Sequence, residues 1–108
     1  NVFDQINILT KKNSLYVWGG GTKGVLFCHH LKQLNPALFE KVVAVIDISK
    51  MKQNKFLPST HLPIISEEKF FSLQNGNEYI IIMNKIYENE ILSEFKKRSL
   101  KIKGHICV

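Results

Sequence analysis

Cysteine, arginine and long apolar runs are scarce in this sequence, and each shortage removes a class of function. Its two cysteines, Cys28 and Cys107, stand far apart with no C-x-x-C or zinc-type spacing. A disulfide framework is therefore excluded, and both read as buried thiols of a reducing compartment. No apolar run approaches the roughly 20 residues of a membrane-spanning helix, and the N-terminus lacks a basic-then-apolar signal layout. The expected location is the cytoplasm. Arginine occurs once, at Arg98, although the formal net charge is +6. Base-edge readout and bidentate phosphate clamps favour arginine, and no aromatic residues interleave the scattered lysines. The charge reads as solvated faces: no nucleic-acid and no membrane partner is expected, while attraction for a small anionic ligand survives. With 44% apolar and 22% charged residues in a chain of 108, the composition fits one globular domain over residues 1–108. Repeats and low-complexity segments are absent.

What is present is a regular change of period. Val2, Phe3, Ile6 and Leu9 are spaced for one face of a short helix. "SLYVW" is a strand run that ends in glycines. Thr22 to about Leu34 is helical through Val25, Leu26, Leu31 and Leu34 until Pro36 stops it. "KVVAVID", residues 41–47, has the continuous apolar character of a strand buried on both faces. "ISKMKQNKFLPSTH" is a surface loop. "LPII" is a short strand, and "SEEKFFSL" is a helix with Ser66 as N-cap. "EYIIIM" is a buried strand, a helix follows with apolar Ile86, Ile91, Leu92 and Phe95, and "LKIKGHICV" alternates as a final strand. Strands alternating with helices predict an α/β fold, a three-layer α/β/α Rossmann-like domain. Right-handed crossovers predict a parallel sheet of about five strands in the order 3-2-1-4-5.

Glycine is uncommon too, yet four of the six crowd into residues 19–24. Glycine inside regular structure costs about 0.5–1 kcal/mol relative to alanine, so the cluster needs a geometric reason. Gly19, Gly21 and Gly24 form G-x-G-x-x-G between the first strand and the first crossover helix. There Gly19 allows the turn, Gly21 admits a phosphate and Gly24 lets helix and strand approach. Gly20 and Thr22 complete the corner, Lys23 adds a cation, and helix N–H groups face the ligand. Asp47, closing the second strand, is placed to accept hydrogen bonds from a ribose diol or another hydroxyl. The same residues are also compatible with a plain tight turn and a local cap. Of the histidines, His29 and His30 lie in the helix, and only His61 and His105 remain, so no metal set is expected. No G-x-S-x-G is present, and nucleophilic catalysis is not expected.

Three stretches together resemble a known family: "YVWGGGTKGVLFCHHL", "VVAVIDISKMKQNKFLPSTHLPIIS" and "YIIIMNKIYENEI". They are similar to the C-terminal domain of the S-adenosylmethionine-dependent sugar C-methyltransferases, which act on nucleotide-linked deoxysugars. The resemblance implies a longer chain, with a zinc-binding region and a methyl-donor domain ahead of this one, and a place in polysaccharide biosynthesis. It implies that this domain holds a nucleotide-sugar, binds no cofactor itself and leaves S-adenosylmethionine to the missing neighbour. The carry-over nominates Lys52, Gln53, Pro58 and Thr60 in the loop, and Asn84, Tyr87 and Glu90 at the end of the fourth strand. Asn54 and Ser59 stand where the family pattern has glycine, so a stiffer loop, or one shaped for another sugar, is expected. No catalytic residue is assigned. Two other readings stay open: an NAD-binding unit, and an interaction module that docks a neighbouring transferase domain or forms a homodimer.

Overall fold

The computed structural model describes residues 13–108, so the helix expected over residues 1–12 lies outside them. Five runs rich in β-branched and aromatic residues become strands: β1 Ser14–Trp18, β2 Val42–Ile46, β3 Ile64–Ile65, β4 Glu78–Ile82 and β5 Gly104–Cys107. Every pairing is parallel, and the order is β3-β2-β1-β4-β5, as the sequence predicts. The helices are α1 Thr22–Leu34, α2 Pro36–Phe39, α3 Glu67–Leu73 and α4 Glu88–Lys97, with a 3-10 turn at Lys85–Tyr87 ahead of α4.

Alternation along each strand builds two cores. Leu15, Val17, Val45 and Ile81 pack with Phe27, Cys28, Leu31 and Leu38 of α1 and α2 on one face. Tyr16, Ala44, Ile46, Ile80 and Ile82 pack with Phe70, Phe71, Ile91 and Phe95 of α3 and α4 on the other. Edge-on aromatic pairs knit that second face, with Phe70 4.8 Å from Tyr16 and Phe71 5.1 Å from Phe95 between ring centres. Such pairs add about 0.5–1.5 kcal/mol each beyond their buried area. At the start of α3, the Ser66 hydroxyl accepts from the Lys69 N–H at 3.1 Å, the cap expected from the sequence.

Local departures from the sequence reading have simple causes. The second strand is shorter than 41–47, and Val43 is 45% exposed, because two-residue β3 pairs only with Val45 and Ile46. Pro36 does not merely end a helix; it opens α2, whose Leu38 N–H is capped by the Asn35 side chain at 3.1 Å. Leu34 and Ile86 are exposed, Ile86 because the 3-10 turn shifts it out of phase with α4.

One contact is exceptionally close. A Cβ at Gly24 would sit 2.0 Å from the Gly19 carbonyl oxygen, and Gly19 itself has φ +124°. The obstacle is main chain, which no rotamer change can move. Replacing Gly24→Ala is therefore expected to cost about 3 kcal/mol or more, at the upper end of overpacking effects, measured as a fall in the denaturant midpoint. Burial pushes the Cys28 thiol from 9.0 up to about 12, and Cys28 is fully buried. The folded chain therefore holds this proton more tightly than the unfolded one, so stability is unaffected by it below about pH 9 and falls as pH rises from 9 toward 12. A thiol-counting reagent at pH 8 should find one reactive cysteine in the native protein, Cys107, and two after unfolding.

Candidate functional site

The strand order places its switch point between β1 and β4, where the chain runs outward first to one side of the sheet and then to the other. A cleft of about 820 Å³ opens at the carboxyl ends of these strands and of β2. Of the residues nominated from the sequence, the glycine corner Gly19, Gly20, Gly21, Thr22, Lys23 and Gly24 lines one wall, Asp47 lies at the end of β2, Asn84, Tyr87 and Glu90 stand opposite, and Lys52 joins them from the loop, whereas Gln53, Pro58 and Thr60 lie outside it.

The glycine corner is held from below. Asp47 Oδ2 accepts from the Gly20 N–H at 2.8 Å, and Oδ1 accepts from the Ser49 N–H at 2.8 Å. A Cβ on Gly20 would lie 2.9 Å from that same Oδ2, so the glycine makes room for the carboxylate. The Gly20 N–H is thereby spoken for. Gly21 is different: a Cβ there would meet nothing nearer than Lys52 Nζ at 3.8 Å. Gly21 stands at the N-cap of α1 with no side-chain cap, and the first turn carries no acid. The Gly21 carbonyl accepts from the Val25 N–H, and the Gly21 and Thr22 N–H groups, which have no intrahelical acceptor at the start of a helix, belong to residues that line the cleft.

The sequence reading puts the Lys23 cation at the corner, but in the structure it is Lys52 whose ammonium lies beside Gly21. The Lys23 ammonium donates to the Val108 carbonyl oxygen at 2.7 Å. Lys52, in the loop after β2, brings its ammonium over Gly21 instead. Of the other nominated loop residues, Gln53 donates its side-chain amide to the Asp47 carbonyl at 2.8 Å. Thr60 is buried with its hydroxyl unpartnered among the described residues, and Pro58 lines a shallower groove beside the cleft. Asn54 and Ser59 adopt φ 64° and 75°, the left-handed region that glycine occupies freely.

On the opposite wall, the Asn84 side chain accepts from the Ile86 N–H at 3.2 Å and shapes the turn before α4. Tyr87 is 46% exposed, so its ring is more a cleft surface than a core element. Glu90 falls in the first turn of α4. Trp18, Phe71 and Arg98 also line the cleft, and sequence reasoning assigned none of them to a site. Arg98 grips Glu68 of α3 at 2.6 Å and Glu94 of α4 at 3.5 Å, and lies 4.2 Å over the Phe71 ring. The available signal was a lone arginine four residues after an acid on a helix. With one carboxylate anchoring two main-chain donors, Asp47→Asn is expected to cost about 1–3 kcal/mol, read as a lowered unfolding midpoint, because the amide can accept at only one of its two positions.

Among the described residues no helix is long and apolar enough to cross a membrane. No curated protein matches the chain. A family model described as the C-methyltransferase C-terminal domain matches residues 5–107, almost the whole sequence and all the elements that build the cleft. The chain belongs to the C-methyltransferase C-terminal domain family.

Proposed function

We propose that this domain holds a nucleotide-linked sugar for methyl transfer by a neighbouring domain that carries S-adenosylmethionine. The supporting observation is the uncapped start of α1. That helix start lines the cleft with neither side-chain cap nor acid in its first turn, and the Lys52 ammonium lies beside Gly21. A pyrophosphate supplies the missing negative charge. The Gly21 and Thr22 N–H groups and Lys52 take its oxygens, while Gly19, Gly20 and Gly24 keep the corner in shape. The cleft volume of about 820 Å³ suits a ligand of this size.

The far wall then meets the remainder of the ligand. The Tyr87 ring offers a stacking face, and Asn84 and Glu90 offer hydroxyl partners. Asp47 keeps only its remaining lone pairs for a ligand hydroxyl, since both oxygens already accept from main-chain donors. That engagement favours a phosphate grip over the NAD reading and over a methyl donor bound here, each of which relies on a carboxylate free to clasp a ribose diol. Exposed Leu26, Met51 and Phe56 beside the corner favour an additional docking role, toward the transferase domain or a second copy.

Calorimetric titration with UDP-, dTDP-, CDP- and GDP-sugars should give saturable binding to at least one, and quenching of Trp18 by NADH separates the dinucleotide reading. Gly21→Val should weaken the nucleotide-sugar at least ~10-fold, about 1.4 kcal/mol. Its unfolding midpoint should hold, because Gly21 has φ −78° and ψ −168° and its added carbons enter open space. Undiminished binding by that variant would move the ligand elsewhere; silence across the panel would leave the corner a structural turn.

A further inference from the structure

Beside the cleft, and forming no part of its lining, three side chains from two elements converge. Glu88 begins α4, and His105 and Cys107 project from the same face of β5, two residues apart. One donor atom from each lies within 4.8 Å of the other two. Parallel register sets this up: His105 pairs with Ile80 and Cys107 with Ile82, which carries both toward the end of β4 where the chain turns into α4. Glu88 Oε2 is 2.7 Å from His105 Nε2, and the Glu88 carboxylate also accepts from the Cys107 thiol.

We infer that Glu88, His105 and Cys107 form a zinc site of this domain, distinct from the ligand cleft. The donor set is a thiolate, an imidazole and a carboxylate, the three ligand types zinc accepts. Zinc–ligand distances of about 2.0–2.3 Å put tetrahedral donors ~3–4 Å apart, so only small side-chain rotations separate the present arrangement from coordination. The groups are neither buried apolar-side nor fully in water: His105 and Glu88 side chains are 27% and 29% exposed, which leaves an entry path and room for water or a fourth ligand. A catalytic reading of the trio is weaker, because the carboxylate and not the imidazole sits between the other two, whereas a thiol nucleophile needs the imidazole next to it. A bound zinc ion would staple β5 to the start of α4 and brace the Asn84–Tyr87 turn that walls the cleft. Lys85 lies within electrostatic reach of both Glu88 and Cys107, so the ion enters against one nearby positive charge and binds through its ligands, not through a general negative field.

Titration of the metal-free chain with Co²⁺ tests this directly. The expected result is a thiolate-to-cobalt absorption band with tetrahedral visible bands that saturate at one equivalent and are displaced by Zn²⁺. Cys107→Ser should abolish the thiolate band, and His105→Gln and Glu88→Gln should each weaken binding by more than the roughly 10–100-fold typical of lost outer-shell partners. Cys28→Ala should leave the spectrum intact. Zn²⁺ should also raise the melting temperature of the unaltered chain and not of Cys107→Ser, with circular dichroism confirming that each variant is folded. No thiolate band in the unaltered chain, or a band that survives Cys107→Ser, overturns the site and leaves a plain His105–Glu88 ion pair.

Discussion

The approach of Gly24 to the Gly19 carbonyl governs the functional end of this molecule. Because only hydrogen occupies the space between them, the first turn of α1 sits directly on the end of β1, and the Gly19 N–H is free to bond Ile46 O of β2 at 2.8 Å. Asp47 then takes the next N–H, that of Gly20, and the N–H of Ser49. Gln53 bonds the Asp47 carbonyl from the loop beyond. The corner, the end of β2 and the start of that loop thus form one hydrogen-bonded unit. At the cleft this unit presents the start of α1, whose first turn has no side-chain cap and no acid of its own, the feature on which the proposed anion grip rests.

The other helix starts sharpen that contrast. α3 has Ser66 as cap and Glu67 and Glu68 in its first turn; α4 has Glu88 and Glu90; the 3-10 turn and α2 are capped by Asn84 and Asn35. Only α1, among the described helices, begins with neither cap nor acid. A self-supplied carboxylate in the first turn contributes about 0.3–1 kcal/mol, so its omission here is a local loss of stability at the one helix start that opens into the cleft through glycine. Charged groups stand at both ends of an otherwise largely apolar cleft: Lys52 beside the corner, and Glu67, Glu68, Glu90 and Glu94 toward α3 and α4, with Trp18, Phe71, Ile82, Met83 and Ile91 between them. Arg98 offsets two of those acids. The proposed nucleotide-sugar would thus set its anionic group at the corner and its uncharged hydroxyls against the opposite wall.

The sheet order, the helix at Ser66 and the glycine corner were legible because each depends on a local property: strand period, a hydroxyl cap, and a backbone geometry only glycine permits. Even the loop pattern was informative at a distance. Asn54 and Ser59 stand where the family pattern has glycine, and both adopt the left-handed conformation. Asparagine enters that region with little strain, whereas serine does so at some cost, and the Ser59 hydroxyl is tied to His29 Nδ1 at 2.7 Å. What was not legible depends on long-range placement. No spacing rule says that the Lys23 ammonium turns to Val108 while Lys52, far along the chain, covers Gly21. Nor could Arg98 be assigned to a wall before α3 and α4 were known to lie side by side.

The trio Glu88, His105 and Cys107 belongs with those long-range effects, and β5 explains why such links gather there. Its four residues are only partly buried, whereas β1, β2 and β4 each bury at least three. As the outermost strand it has one neighbour, and a Cβ on its Gly104 would meet the Tyr79 ring at 2.6 Å, so packing there is close but small in area. Apolar burial thus contributes less to fastening β5 than to any interior strand. Polar ties make up part of the difference: Lys23 from the α1 side onto Val108, and Glu88 from the α4 side onto His105 and Cys107. Both ties end at the carboxyl rim. The position of the Asn84–Tyr87 turn, set between β4 and α4, therefore depends on how firmly this edge strand is clasped, and that turn forms one wall of the cleft.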